Sequence, residues 1–231
     1  LALPASFRAR SSRGCERPPK FESPMSRPRE FDEEAVLERA LELFWRDGYA
    51  ATSLQALLTH MGISRQSLYN TFGDKRRLFL AALDRYADLR AREMLGDLEH
   101  EDASLAEVFG FFERLGQNAA QKGSCGAAET HPEACLIGRS CMELGAADPE
   151  VAARVHYFFD RTVKAFRNAL DNAVRKGEIE TLDTAATARH LTATLNGLGI
   201  LHRAGVAVQE LGDVVRVSLS VLKPKTPAGR A

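Results

Sequence analysis

TSLQALLTHMGISRQSLYNTF, residues 52–72, reads as two short helices joined by a tight turn, the arrangement of a helix-turn-helix. Thr52 is placed to cap the first helix, and Gln55 three positions on completes a capping box that satisfies two backbone donors at once. Leu54, Leu57, Leu58 and Met61 then share one apolar face, and Gly62 stands where a left-handed residue ends a helix. Ile63 turns inward. Ser64 caps the second helix, whose inner side carries Leu68 and Phe72 and whose other positions are Arg65, Gln66, Ser67, Tyr69, Asn70 and Thr71.

That outer face suits a DNA major groove. Arginine donates in bidentate fashion to a guanine edge, glutamine and asparagine pair with adenine, and hydroxyls reach phosphates. Charge placement agrees. The 26 residues from Gly48 to Gly73 contain no Asp or Glu. At the chain average of 31 acids in 231 residues, roughly three to four would fall there. Lys75, Arg76 and Arg77 follow directly, with Lys75 on the first turn of the next helix behind the cap Asp74, where a phosphate could meet its ammonium and free backbone donors.

Bulk composition adds bounds rather than identity. Net charge is zero, and residues 25 to 85 carry nine basic and nine acidic side chains, so the signal is one of placement. With 45% apolar residues the chain can bury a sizeable core. No apolar run approaches a membrane span and no secretory leader is apparent, so a cytoplasmic location with no membrane partner is expected. Residues 1–26, rich in Arg, Ser and Pro, are expected to be a disordered leader in which Met25 is a candidate start. Arg27 and Arg29 form either a basic arm for a minor groove or a solvated linker.

The rest reads as helix after helix. Asp32 caps the first, with Val36, Leu37, Ala40, Leu41, Phe44 and Trp45 as its buried stripe and Gly48 as its stop. After Asp74 a longer helix runs to about Leu98, and a Ser104/Glu107 capping box opens another with Val108, Phe109, Phe111, Phe112 and Leu115. Residues 121–130 read as a loop. Asp148-Pro149 starts a long helix that Gly177 ends, and two more span Asp183 to about Ala204 and Val208 to Leu222. The fold class is therefore all-α with about nine helices. A head at 27–76, a body at 77–223 and a loose tail at 224–231 are the expected domains.

The segment RPREFDEEAVLERALELFWRDGYAATSLQALLTHMGISRQSLYNTFGDKRRLFLAALDRY, residues 27–86, resembles the TetR family of bacterial helix-turn-helix transcriptional regulators. The resemblance rests on the apolar first helix ending at Phe and Gly-Tyr, Thr-Ser opening the second, Gly-Ile before the recognition helix, and Leu-Tyr-x-x-Phe-x-x-Lys. The Arg-Pro-Arg-x-Phe-Asp opening and Cys-Leu-Ile-Gly also look like a branch that includes a copper-responsive repressor. The resemblance implies a repressor that binds a near-palindromic double-stranded operator as a homodimer and is released by a small-molecule inducer. It makes Thr52 and Tyr69 phosphate contacts, Arg65, Gln66 and Asn70 base readers, Lys75 a backbone anchor, and Ser53 and Ser67 weaker contacts. It also implies a four-helix dimer contact from the last two helices, whose apolar stripes are Leu191, Leu195, Leu198 and His202, and Leu211, Val215, Leu219 and Leu222. Recognition helices would then meet successive major grooves about 34 to 36 Å apart or wider. Alternatively, those two helices only close the monomer core.

An inducer cavity among the middle helices would be walled by Phe109, Phe112, Phe158, Phe159 and Phe166, with Arg139, Thr162 and Asn196 as polar contacts; ordinary core is the other reading of the aromatics. Cys125, Cys135 and Cys141, with His131, lie within 17 residues and raise thiol-based sensing of an oxidant, an electrophile or a soft metal, against buried structural cysteine. Their spacing is not a zinc signature, and no cofactor or metal is expected. No phosphate loop, nucleophile elbow or His-Glu-x-x-His motif supports an enzyme. A helical ligand-binding or protein-interaction module without sequence-specific DNA binding is the reading from another class.

Overall fold

Asp32, Ser64, Asp74, Asp148 and Asp183 each accept a hydrogen bond from a backbone N–H of the helix they precede, so local capping chemistry sets where five helices start. The computed structural model describes residues 31–122 and 135–223. Among them are nine helices: α1 Glu33–Asp47, α2 Leu54–Met61, α3 Arg65–Phe72, α4 Lys75–Glu99, α5 Leu105–Lys122, α6 Leu136–Leu144, α7 Pro149–Arg175, α8 Thr184–Arg203 and α9 Val208–Leu219. The all-α expectation is met. Gly62, in left-handed geometry with φ 67°, ends α2 and turns the chain into α3.

Three local expectations need correction. Ser53, not Thr52, caps α2: its hydroxyl accepts from the Ala56 N–H at 3.1 Å, so the Thr52/Gln55 capping box does not form. Thr52 is 1% exposed, and its hydroxyl donates to the Gly48 carbonyl at 2.5 Å, which occupies it elsewhere. Only half of the Ser104/Glu107 box forms. Glu107 accepts from the Ser104 N–H at 2.6 Å, whereas the Ser104 hydroxyl donates to Glu178 at 3.1 Å. The last helix stops at Leu219, where the Ser220 hydroxyl bonds back to the Val217 carbonyl.

Packing divides into two hydrophobic clusters threaded by the same long helices. The first joins α1, α2 and α3 to the start of α4, to Leu136 and Ile137 of α6, and to Val151, Val155 and Phe158 of α7. Phe44, Phe79 and Tyr49 stack and tilt against one another, with Phe44 and Phe79 centroids 5.0 Å apart, while Trp45 meets Tyr86 edge-on at 5.2 Å. The second cluster takes the rest of α4 with α5, α8, α9 and the later turns of α7. Apolar packing of the helix-turn-helix thus continues past residue 76 and includes α6.

Polar contacts fasten α7 to α4. Asn168 donates to the carbonyls of Leu98 and His100, and buried Asn172 to those of Glu101 and Ala103, which ties the end of α4 and its connection to α5 onto α7. At the other end Arg76 donates to both carboxylate oxygens of Asp148, at 2.7 and 2.8 Å, and pairs with Glu150 at 2.6 Å. The Arg76 guanidinium, helped by the backbone amides of Val151 and Glu150, holds the Asp148 carboxyl down at about 2, against the 3.8 of a free aspartate.

A folded value below the unfolded one stabilises fully above the unfolded value and fades as pH falls through the folded one. In urea titrations the wild type should therefore be more stable than Asp148→Asn above about pH 4, with the gap closing as pH drops toward about 2. Asparagine keeps the capping oxygen, so a gap that does not change with pH would assign the effect to packing instead.

Candidate nucleic-acid interface

The outward face of α3 presents Arg65, Gln66, Tyr69 and Asn70 to solvent, with Ser67 half-buried and Leu68 anchoring the helix from beneath. Helix periodicity dictates this division. Gln66 Nε2 donates to Asn70 Oδ1 at 3.0 Å, so the two amides are ordered side by side on the exposed face. Ser64 and Ser67 hydroxyls lie 2.9 Å apart, and the Ser67 N–H is capped by Ser64, which fixes the first turn of α3. Tyr69 is 46% exposed, far above an ordinary packed tyrosine, and its hydroxyl is available to a phosphate.

Beside α3, exposed Ser53 and the first amides of α2 form a second approach to a phosphate. Thr52, which the sequence favoured for this contact, is buried with its hydroxyl engaged. Lys75 also departs from expectation. Its Nζ donates to the Tyr49 carbonyl at 2.6 Å and sits 4.3 Å from the Tyr49 ring centroid, an interior role that leaves the ammonium turned toward the protein. Burial pushes its pKa down, with Glu143 pulling the other way. Of the three bases opening α4, Arg77 is the exposed one, since Arg76 is paired with Asp148 and Glu150. Arg27 and Arg29 lie outside the described residues.

Residues 45–50, the end of α1 and the start of its connection to α2, are held from outside the helix-turn-helix. Arg139 of α6, expected in a ligand cavity, instead donates to the carbonyls of Trp45, Arg46 and Asp47 at 3.4, 3.0 and 2.7 Å, capping the last turn of α1. Gly48, at φ 84°, makes room for it: a Cβ there would lie 2.8 Å from Arg139 Nε. Glu143, one turn along α6, accepts from the Tyr49 N–H at 3.2 Å and the Ala50 N–H at 2.9 Å. Sequence reasoning missed Glu143, because nothing local marks an acid 93 residues from its partner.

The remaining candidates separate. Phe112 stacks on Phe166 with centroids 5.8 Å apart, and Phe109 packs in the same body cluster. Phe158 and Phe159 belong to the head cluster, so the five rings do not wall one cavity. Thr162 and Asn196 hydrogen-bond to carbonyls of their own helices, those of Phe158 and Thr192. A polar cleft between the end of α4 and α5, lined by Asp97, His100, Glu107 and Arg114 among others, includes none of the expected ligand contacts.

On α8 and α9, Leu191, Leu198, Leu211 and Leu219 are buried in the monomer core, as is Leu222 just past α9, and Leu195 and Val215 pack against it. His202 is half-buried. The stripe chosen from sequence is therefore the inward one. The outward apolar side chains of the same helices are Ile200, Leu201, Val214 and Val217, with Val221 just beyond.

Cys135 and Cys141 are free and exposed; Cys15, Cys125 and His131 lie outside the described residues. Cys135 precedes α6 at its N-cap and neighbours the Tyr86 phenol, whose pKa is raised by burial first and by Cys135 second. Among the described residues no group of three or more His, Cys, Asp or Glu is placed to hold a metal, and no helix is long and apolar enough to cross a membrane.

Comparison with known proteins agrees with this geometry. Residues 36–82 match the model of bacterial regulatory proteins of the tetR family, and residues 112–215 that of the tetracyclin repressor-like C-terminal domain. The chain is 37% identical over 204 residues to the HTH-type transcriptional regulator YezE of Bacillus subtilis, covering 86% of this chain and all of that one. It is 30% identical over 197 residues to the HTH-type transcriptional repressor ComR of Escherichia coli, covering 84% and 90%. The TetR family regulator CifR, solved as a cysteine mutant with a 26-base-pair double-strand operator, superposes with a TM-score of 0.68 at 26% identity, over 86% of this chain and 100% of that chain. With both halves matched by models of the family and a relative 37% identical along its whole length, the chain belongs to the TetR family of DNA-binding transcriptional regulators.

Proposed function

We propose that the protein is a cytoplasmic, homodimeric repressor that holds a near-palindromic operator and leaves it when a small-molecule inducer binds the body. The observation that carries the DNA-reading part is the ordered Gln66–Asn70 pair beside Arg65 on an exposed helix face within an acid-free window. Repression is supported by ComR, which is a repressor, and operator binding by CifR, which was solved on one. Arg65, Gln66 and Asn70 read bases, while Ser53, Ser67 and Tyr69 hold phosphates.

Dimerisation is assigned to the outward faces of α8 and α9, through Ile200, Val214 and Val217, with Val221 just past α9. Such an apolar patch on two adjacent helices suits a two-fold, self-complementary contact. For the inducer, the Phe112–Phe166 stack with Phe109 marks the body region that would have to open.

A second reading, a thiol-gated repressor, is favoured by one observation: Cys135 is free and exposed at the start of α6, the helix whose Arg139 and Glu143 hold the end of α1. Operator release by peroxide in the wild type but not in Cys135→Ser would select it.

Two outcomes are expected. In a selection from random duplexes, Gln66→Ala or Arg65→Ala should change base preference at a discrete position by about 1–3 kcal/mol, whereas Tyr69→Phe should weaken all sequences alike. Equal behaviour of the three variants would remove the assigned roles. In sedimentation, Val217→Glu should yield folded monomers that no longer bind the operator, whereas Leu191→Ala should lower stability by about 2–5 kcal/mol. A Val217→Glu protein that stays dimeric would place the interface elsewhere.

A further inference from the structure

We propose that Glu143 and Arg139 of α6 are positioning residues for DNA reading: they set the angle of the helix-turn-helix by holding the α1–α2 turn, without touching DNA. The proposal rests on the DNA-binding reading and on one local geometry. The Tyr49–Ala50 peptide unit is gripped at both ends by opposite charges, its carbonyl by Lys75 Nζ at 2.6 Å and its N–H by Glu143 at 2.9 Å. The preceding Tyr49 N–H goes to the other oxygen of Glu143, and the last three carbonyls of α1 go to Arg139. Charge-assisted bonds of this kind are directional as well as strong.

The turn they hold leads straight into the α2 cap at Ser53, so its orientation is passed to α2 and α3 as a rigid unit. Helix α6 is itself seated in the head cluster by Leu136 and Ile137, which fixes the two charged side chains against the turn. Loosening Glu143 would let the 48–50 backbone rotate. The recognition helix would then sample orientations that no longer meet the groove, and affinity would fall by the fraction of time spent in them.

The sign of the effect separates this role from direct electrostatics. Removing an acid from a surface near phosphates relieves repulsion and should tighten binding. Positioning demands the reverse. Against a duplex selected by the wild type from a random pool, Glu143→Gln should bind roughly 5- to 30-fold more weakly. The slope of log affinity on log salt should stay the same, because no phosphate contact is lost; a lost contact would lower it by about 0.9. Arg139→Gln should likewise weaken binding at an unchanged slope.

Hydrogen exchange supplies the readout that keeps the test decisive if a variant folds poorly. In the wild type the Tyr49 and Ala50 amides should exchange slowly, and in folded Glu143→Gln they alone should speed up while body helices stay protected. Fast exchange of those amides in the wild type overturns the proposal, as does equal or tighter DNA binding by Glu143→Gln, or a reduced salt slope for Arg139→Gln. A wild type that selects no duplex overturns the DNA-reading premise with it, an outcome distinct from equal binding by wild type and variant.

Discussion

The Tyr49–Ala50 peptide, fixed between the Lys75 ammonium and the Glu143 carboxylate, is the constraint on which the aim of the recognition helix depends. A helix end leaves carbonyls without partners, and a short turn into the next helix cannot satisfy them from its own backbone. Here the deficit at the end of α1 is met by Arg139, whose guanidinium fork spans three successive carbonyls as a lysine could not. Gly48 permits the approach, since any side chain there would collide with the guanidinium and its φ of 84° is one that L residues avoid. The turn, the glycine and the body arginine form one device.

Features governed by neighbours in the chain were legible in the sequence. Asp32, Ser64, Asp74 and Asp148 were readable as caps, and Gly62 as a stop, because capping geometry spans only two or three residues. The composition of the α3 outer face was readable for the same reason, once its inner Leu68 fixed the phase. Where two residues satisfied the same local rule, burial decided. Thr52 and Ser53 are both good caps, but only Ser53 stays at the surface, while Thr52 is drawn inward to the Gly48 carbonyl.

Features set by distant partners were not legible. Lys75, placed by sequence against a phosphate, faces Tyr49 26 residues earlier, and Arg139 faces α1 more than 90 residues away. Apolar periodicity has a related blindness. It finds the most hydrophobic stripe of a helix, which on α8 and α9 is the core-facing one carrying Leu191, Leu198 and Leu211, and passes over the thinner outward set of Ile200, Val214 and Val217. Aromatic content fails similarly, because a phenylalanine in a core and one in a cavity wall share the same spacing, and here Phe158 and Phe166 sit in different clusters.

The acid-free window and Glu143 then belong to a single electrostatic arrangement. An acid inside residues 48–73 would be close to α3 and would repel phosphates from the face meant to receive them. Yet the turn amides of Tyr49 and Ala50 need an acceptor, and a carboxylate is the strongest one available. Supplying it from α6 places the negative charge against backbone N–H groups and near Lys75, whose own carbonyl bond lies on the far side of the same peptide. Opposite charges close together present little field at the distance of a DNA backbone, and salt screens what remains. The body thus contributes the anion that the turn requires, at a point where its repulsion of DNA is offset locally.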